Sequence, residues 1–213
     1  KQIGENIRDL GLEGEDKKEG TPTMGGLIII IGTIIPVVLM SNLENIYIQI
    51  LIISTIILGS IGFIDDYIKV FKKDKKGLKG KFKIAGQSLL GVFVGIVLLS
   101  SNEITIVEFA ENIDDEKIEF LQFKEIKSFK TTVPFFKNNE LNYSQISNSL
   151  FKNGDKMIWL IIIPIIIFII SAVSNSNNLT DGLDGLSAGL SAIIVFTLGV
   201  FAWTSGNIIF SEY

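Results

Sequence analysis

The run MIWLIIIPIIIFIISAVS, Met157–Ser174, holds no charged residue, and half of it is isoleucine. A helix needs roughly 20 apolar residues to cross the hydrocarbon of a bilayer. Four other uncharged runs match it: Met24–Met40, Ile46–Ile64, Ile84–Ser101 and Leu186–Trp203. Isoleucine favours strands, but open strands leave backbone groups unpaired in lipid, so helices are the reading physics allows. Pro36 and Pro164 fall inside two runs, which membrane helices tolerate. The alternative is a soluble protein with buried core helices, but five such runs leave too little polar surface to cover them. The sequence therefore predicts an all-α polytopic membrane protein with five transmembrane helices, 24–40, 46–64, 84–101, 157–174 and 186–203.

Composition supports this. Of 213 residues, 47% are hydrophobic and 20% charged, which fits neither a disordered chain nor an ordinary water-soluble domain. The absence of cysteine excludes disulfides, thiolate metal sites and a cysteine nucleophile. The absence of histidine removes the commonest general base and transition-metal ligand, so any metal is oxygen-loving, such as Mg²⁺ or Mn²⁺. The net charge of −4 gives no sign of nucleic-acid binding.

The connecting segments orient the spans. Asp65–Lys83 carries eight lysines and three aspartates, and positive loops stay in the cytoplasm. Helix alternation then places Lys1–Thr23 and Asn175–Gly185 inside. Ser41–Asn45, Asn102–Lys156 and the C-terminus fall outside. Asn102–Lys156 is a long outer loop with strand-like pieces at Glu103–Phe109, Lys117–Phe123 and Lys130–Phe136. It is expected to be a β-rich extracytoplasmic insertion, with a mobile, Asn/Ser-rich tail at Asn138–Asn153. The chain lacks an initiator Met, ends abruptly after the fifth run, and reads as a piece of a longer polytopic protein.

Three polar phrases fall on the cytoplasmic side. In Lys18-Glu19-Gly20-Thr21-Pro22-Thr23-Met24-Gly25-Gly26, threonine hydroxyls and glycine N–H groups at a helix start can hold phosphate. The same residues also suit an ordinary capped helix entry. In Gly62-Phe63-Ile64-Asp65-Asp66-Tyr67-Ile68-Lys69, two adjacent carboxylates are expected at a helix C-terminus, where the macrodipole disfavours negative charge. A cation would relieve them, and Lys69 lies at i+4 from Asp65. A solvated helix end explains the lysines but not the aspartate pair. In Asn175-Ser176-Asn177-Asn178-Leu179-Thr180-Asp181-Gly182-Leu183-Asp184-Gly185-Leu186, the polar residues Asn178, Asp181 and Asp184 recur every third position. Gly182 and Gly185 permit tight turns. An Asn/Asp/Gly turn between helices is the plain alternative. Together the phrases suit a Mg²⁺-dependent reaction on a phosphate-bearing substrate, with a lipid as one reactant.

The three phrases, together with Gln2…Asn6-Ile7-Arg8-Asp9-Leu10-Gly11 and Gly77-Leu78…Lys81-Phe82-Lys83…Gln87, resemble the phospho-N-acetylmuramoyl-pentapeptide-transferase family. That family is a branch of the polyprenyl-phosphate N-acetylhexosamine-1-phosphate transferase superfamily. The resemblance covers most of the chain outside Asn102–Lys156, and Gly20-Thr21-Pro22-Thr23-Met24-Gly25-Gly26 points to the muramoyl branch. It implies a multi-pass enzyme of the bacterial cytoplasmic membrane, with its active site facing the cytoplasm. Such an enzyme transfers phospho-MurNAc-pentapeptide from UDP-MurNAc-pentapeptide to undecaprenyl phosphate with Mg²⁺, giving lipid I and UMP in peptidoglycan synthesis. Residue by residue, it implies catalytic roles for Asp65, Asp66, Asp181, Asn178 and Lys69. Metal binding would fall to Asp65, Asp66 and Asp181, and one of the adjacent pair, with Asp65 favoured, would deprotonate the lipid phosphate. Lys18, Thr23, Lys81, Lys83, Gly182, Leu183 and Asp184 would contact substrate, the last three near the uracil. A homodimer is compatible with this reading.

Two departures accompany the resemblance. Glu15 lies near where the family often has a histidine. The family fold has about ten helices, with another metal-binding aspartate and a His-rich motif in its later part. Residues 1–213 would thus be part of one integral membrane catalytic domain, with 102–156 inserted, and are expected to be inactive alone. The alternatives are a sister transferase of GlcNAc-1-phosphate, a transporter, whose acids should lie at mid-membrane depth, and a purely structural membrane protein.

Overall fold

The computed structural model describes residues 24–74, 76–109, 123–133, 139–181 and 185–206. Its elements, in order, are α1 (Gly25–Met40), α2 (Ile46–Phe71), α3 (Gly80–Ser100), β1 (Ile106–Phe109), β2 (Phe123–Ile126), β3 (Lys130–Thr132), β4 (Glu140–Asn142), α4 (Tyr143–Leu150), α5 (Gly154–Met157), α6 (Trp159–Thr180) and α7 (Leu186–Ser205). The chain divides into two units, Lys1–Phe168 and Ile169–Tyr213.

Helices α2, α3, α6 and α7 are long and apolar enough to cross a membrane. The first expected span is a shorter apolar helix of 16 residues, α1. At 1.5 Å per residue it covers about 24 Å, against roughly 30 Å of hydrocarbon. Among the described residues only Leu90, Tyr143 and Ile158 are buried apolar residues. The helices turn their isoleucine, leucine and phenylalanine side chains outward, as lipid rather than water requires.

In the first unit α1 packs on α2, and α2 on α3. The close approach of α3 to α6 depends on two small residues one turn apart. A Cβ on Gly91 would stand 2.6 Å from Ile167 Cγ1, and one on Gly95 2.8 Å from Ile163 Cγ1. The pairing advances in opposite directions along the two helices, so they run antiparallel, with backbones as close as small-residue membrane interfaces permit.

Several boundaries differ from expectation. Helix α2 continues through Asp65 and Asp66 to Phe71 instead of stopping at Ile64. The ladder Phe63–Tyr67–Phe71, with ring centroids 6.3 and 4.8 Å apart, and the Asp65–Lys69 ion pair support the additional turns. The aspartates therefore sit within the last two turns rather than at the C-terminus. Helix α3 begins at Gly80, four positions before the apolar run at Ile84. Helix α6 extends past Ser174 to Thr180, making the Asn/Ser phrase helical. Apolarity marks where lipid ends, not where backbone hydrogen bonding ends.

The loop after α3 contains two antiparallel two-stranded sheets, β1–β2 and β3–β4. Ile106 is opposite Ile126, and Lys130 opposite Asn142. Of the strands expected from sequence, Glu103–Phe109 forms over its last four residues and Lys130–Phe136 over its first three. Residues 117–122 and 134–136 lie outside the described residues. The tail expected to be mobile instead forms β4 and α4. Asn142 caps α4 by accepting from the N–H groups of Ser144 and Gln145 at 3.0 and 3.3 Å. Tyr143 is buried, with its hydroxyl 2.7 Å from Thr131 Oγ1. Ser147 is also buried and donates to the Gly154 carbonyl at 2.6 Å. Lys127 Nζ reaches the carbonyls of Leu99 and Ser101 at 2.8 and 2.9 Å, so a lysine between β2 and β3 satisfies the end of α3.

Candidate active site

Asp65 is 4% exposed, among the few polar residues buried in the described chain. Its partners come from the end of α2, the start of α3 and the connection between them. Lys69, one turn later on α2, places Nζ 2.8 Å from Asp65 Oδ2. Lys83, in the first turn of α3, places Nζ 2.9 Å from the same oxygen. The Leu78 N–H donates to Oδ1 at 2.7 Å. Two ammonium groups and an amide therefore surround one carboxylate. A buried charge is tolerable only with such pairing.

Asp66 differs. Its side chain is 45% exposed, and its contact with Lys69 Nζ is long, 3.7 Å. Helical geometry turns successive residues about 100° apart, so one aspartate faces the connecting loop while the other stays open. Lys81 is exposed, two residues before Lys83 on α3.

The connection closes through Gly77, which is buried and has φ +65°. A Cβ there would stand 2.5 Å from Asp65 Oδ1 and 2.8 Å from Lys69 Cε. Sequence reasoning singled out the lysines and quoted Gly77 only as part of the family phrase, with no role of its own. The signals were a glycine inside a lysine-rich run and its place at the head of that phrase.

In the second unit, Asn178 is exposed in the last turn of α6, and Asp181, also exposed, follows that helix directly. The Asp181 N–H donates to the Asn177 carbonyl at 2.9 Å. Ser187 Oγ on α7 donates to Asn177 Oδ1 at 3.1 Å, joining the ends of the two helices. Asn177 and Ser187 were not chosen from sequence, since neither is charged, Asn177 stands beside Asn178, and Ser187 opens an apolar helix. Gly185 has φ +75° at the N-cap of α7, the tight turn expected there. Lys18, Thr23, Gly182, Leu183 and Asp184 lie outside the described residues. Among the described residues no three of the Asp/Glu side chains converge as a ready metal cage.

Four membrane-length apolar helices among the described residues define a polytopic helical membrane protein, with a buried, lysine-paired aspartate near the end of one of them. The profile of glycosyl transferase family 4 matches residues 48–212, and the chain belongs to that family. Residues 18–30 also match the phospho-N-acetylmuramoyl-pentapeptide-transferase signature 1. The chain is 55% identical over 223 aligned residues to the phospho-N-acetylmuramoyl-pentapeptide-transferase of Flavobacterium psychrophilum, covering 100% of this chain and 53% of that protein. It is 54% identical over 215 residues to the protein of the same name from Amoebophilus asiaticus, covering 100% and 52%. It is 49% identical over 214 residues to that of Parabacteroides distasonis, covering 100% and 51%. The chain spans about half the length of the curated relatives it matches. The resemblance read from the three polar phrases is borne out.

Proposed function

We propose that the protein containing this chain transfers phospho-MurNAc-pentapeptide from UDP-MurNAc-pentapeptide to undecaprenyl phosphate, in the bacterial cytoplasmic membrane. The observation that carries this reading is end-to-end similarity of the chain, at about half identity, to relatives bearing that transferase's name. In the reaction a phosphate oxygen of the lipid attacks the sugar-bearing phosphorus of the donor. The bond from that phosphorus to the bridging oxygen breaks, UMP leaves, and lipid I remains in the membrane.

The site geometry supports a division of roles. Asp65, with both oxygens engaged, holds Lys69 and Lys83 in place. Asp66 is open, and is the better placed of the pair to accept the lipid phosphate's proton or to offer an oxygen to a cation. Lys69 and Lys83 present positive charge beside it, suited to phosphate oxygens. Mg²⁺ needs only one or two protein carboxylates alongside waters and substrate phosphates, and the exposed carboxylate of Asp66 fits that demand. When bound, the ion would neutralise charge on the diphosphate. Asp181 is proposed as a further metal ligand and Asn178 as a catalytic residue on the resemblance alone. On the same basis Lys18, Thr23, Lys81, Gly182, Leu183 and Asp184 are proposed substrate contacts.

The proposal extends to topology. It takes α1 as a fifth, shorter span. It places the lysine-rich α2–α3 connection in the cytoplasm by the positive-inside rule, with 102–156 as an outer insertion in one catalytic domain.

The test is UMP release from membranes carrying the full-length protein, with Mg²⁺ and undecaprenyl phosphate, offering UDP-MurNAc-pentapeptide and UDP-GlcNAc in parallel. Release from the muramoyl donor alone is expected. Release from UDP-GlcNAc alone would move the protein to the sister specificity, and release from neither would overturn the transferase reading. Residues 1–213 expressed alone are expected to release no UMP.

A further inference from the structure

We infer that Gly77 is a positioning residue. Its left-handed, side-chain-free backbone lets the α2–α3 connection close onto Asp65, setting Lys69 and Lys83 on that carboxylate and leaving Asp66 for the ligand. This rests on the reading of the aspartate pair as transferase machinery, but the closure itself can be tested without catalysis.

Three observations meet at this residue. Its φ of +65° is a region that L side chains rarely adopt. The space a side chain would need is taken: an added Cβ would stand 2.5 Å from Asp65 Oδ1 and 2.8 Å from Lys69 Cε. The next residue, Leu78, gives its N–H to the same Oδ1 at 2.7 Å. That bond requires the backbone at Gly77 to lie against the carboxylate. Five residues later, Lys83 reaches the other oxygen at 2.9 Å. A side chain at position 77 would push the backbone away, weakening the amide bond and displacing the start of α3 with its lysine. Asp66 sits on the neighbouring face of α2, its side chain 45% exposed. It is affected only indirectly, through the position of the ammonium groups beside it.

The experiment compares the full-length protein in detergent with its Gly77→Ala, Gly77→Asn, Asp65→Ala and Gly77→Ala/Asp65→Ala variants. Size-exclusion profiles check that each is folded. Lys83 is acetylated with sulfosuccinimidyl acetate, and its rate is read from peptide masses. Wild-type Lys83, held against a buried carboxylate, should react slowly. Gly77→Ala and Asp65→Ala should each raise the rate about three-fold or more, and the double variant should not exceed the larger single effect, since both break the same closure. Asparagine tolerates left-handed backbone but still carries a Cβ. Gly77→Asn should therefore behave like Gly77→Ala, since contact with Asp65 is the limiting factor. In the UMP-release assay, Gly77→Ala should lower kcat about ten-fold or more, as small misplacements of catalytic groups do, with KM for the nucleotide donor within about two-fold.

Wild-type labelling rates in both Gly77 variants, or effects that multiply in the double variant, would overturn the inference. So would a loss confined to KM. Labelling changes as expected in a protein that releases no UMP would uphold the closure while removing the transferase reading.

Discussion

The end of α2 carries two aspartates within its last turns and the end of α6 carries Asp181 just after its last, yet the two are built in opposite ways. At α2 the carboxylate of Asp65 is buried under Lys69, Lys83 and the Leu78 N–H. All of these lie within one short stretch of sequence, so the arrangement is set by the chain itself. At α6, Asn178 and Asp181 are exposed, and the structure there is held by the Asp181 backbone and the Ser187–Asn177 bond. The first is a preassembled electrostatic unit, which under the proposed function would cost little reorganisation on meeting a phosphate. The second leaves the side chains of Asn178 and Asp181 exposed.

The sharpest test of this contrast is Asp66→Asn in the full-length protein. It should lower the rate of UMP release about 100-fold or more, the scale of losing a group that meets the transition state, while leaving Lys83 acetylation at the wild-type rate. Near wild-type turnover would return the chemical role to Asp65. A smaller effect is expected away from both sites. Gly91→Leu forces bulk against Ile167, at the closest approach of α3 and α6. Overpacking of this kind costs about 1–3 kcal/mol, and thermal unfolding in detergent should show Tm lowered by roughly 3–10 °C. An unchanged Tm would mean that α3 and α6 part without penalty. The smallest effect belongs to the α6–α7 end. Ser187→Ala removes one exposed hydrogen bond and should change stability by less than about 0.5 kcal/mol, with turnover within about two-fold. If it proved as damaging as Gly91→Leu, the α6–α7 end would be as tightly built as the α2–α3 end.

Hydropathy made the membrane helices legible, because lipid demands long uncharged runs with satisfied backbones. It misjudged their ends wherever polar residues carry the helix onward. The Asp65–Lys69 pair and the aromatic ladder extend α2, and a chain of Asn and Ser extends α6. In the segment after α3, composition suggested a loose tail where Asn142 starts a helix and Ser147 is fully buried. Caps and buried hydroxyls act through geometry that residue counts do not contain. At the site, Asp65, Asp66, Lys69 and Lys83 were readable as a charge pattern. Their division into one enclosed and one open carboxylate was not, since it depends on the 100° step between neighbours on a helix. Gly77 was visible in the family phrase, but its role was not, because that role is to have no side chain.

The α2–α3 connection looks like the part of the chain most tolerant of insertions and deletions: short, charged and exposed along most of its length. The Leu78–Asp65 bond means it is not. Adding or removing one residue between Phe71 and Leu78 would shift which amide faces the carboxylate and put a side chain where Gly77 now lies. An epitope tag or a homologous exchange placed there should fail. The lysine-rich connection should therefore keep a fixed length among working versions of this protein, even where its individual lysines are exchanged.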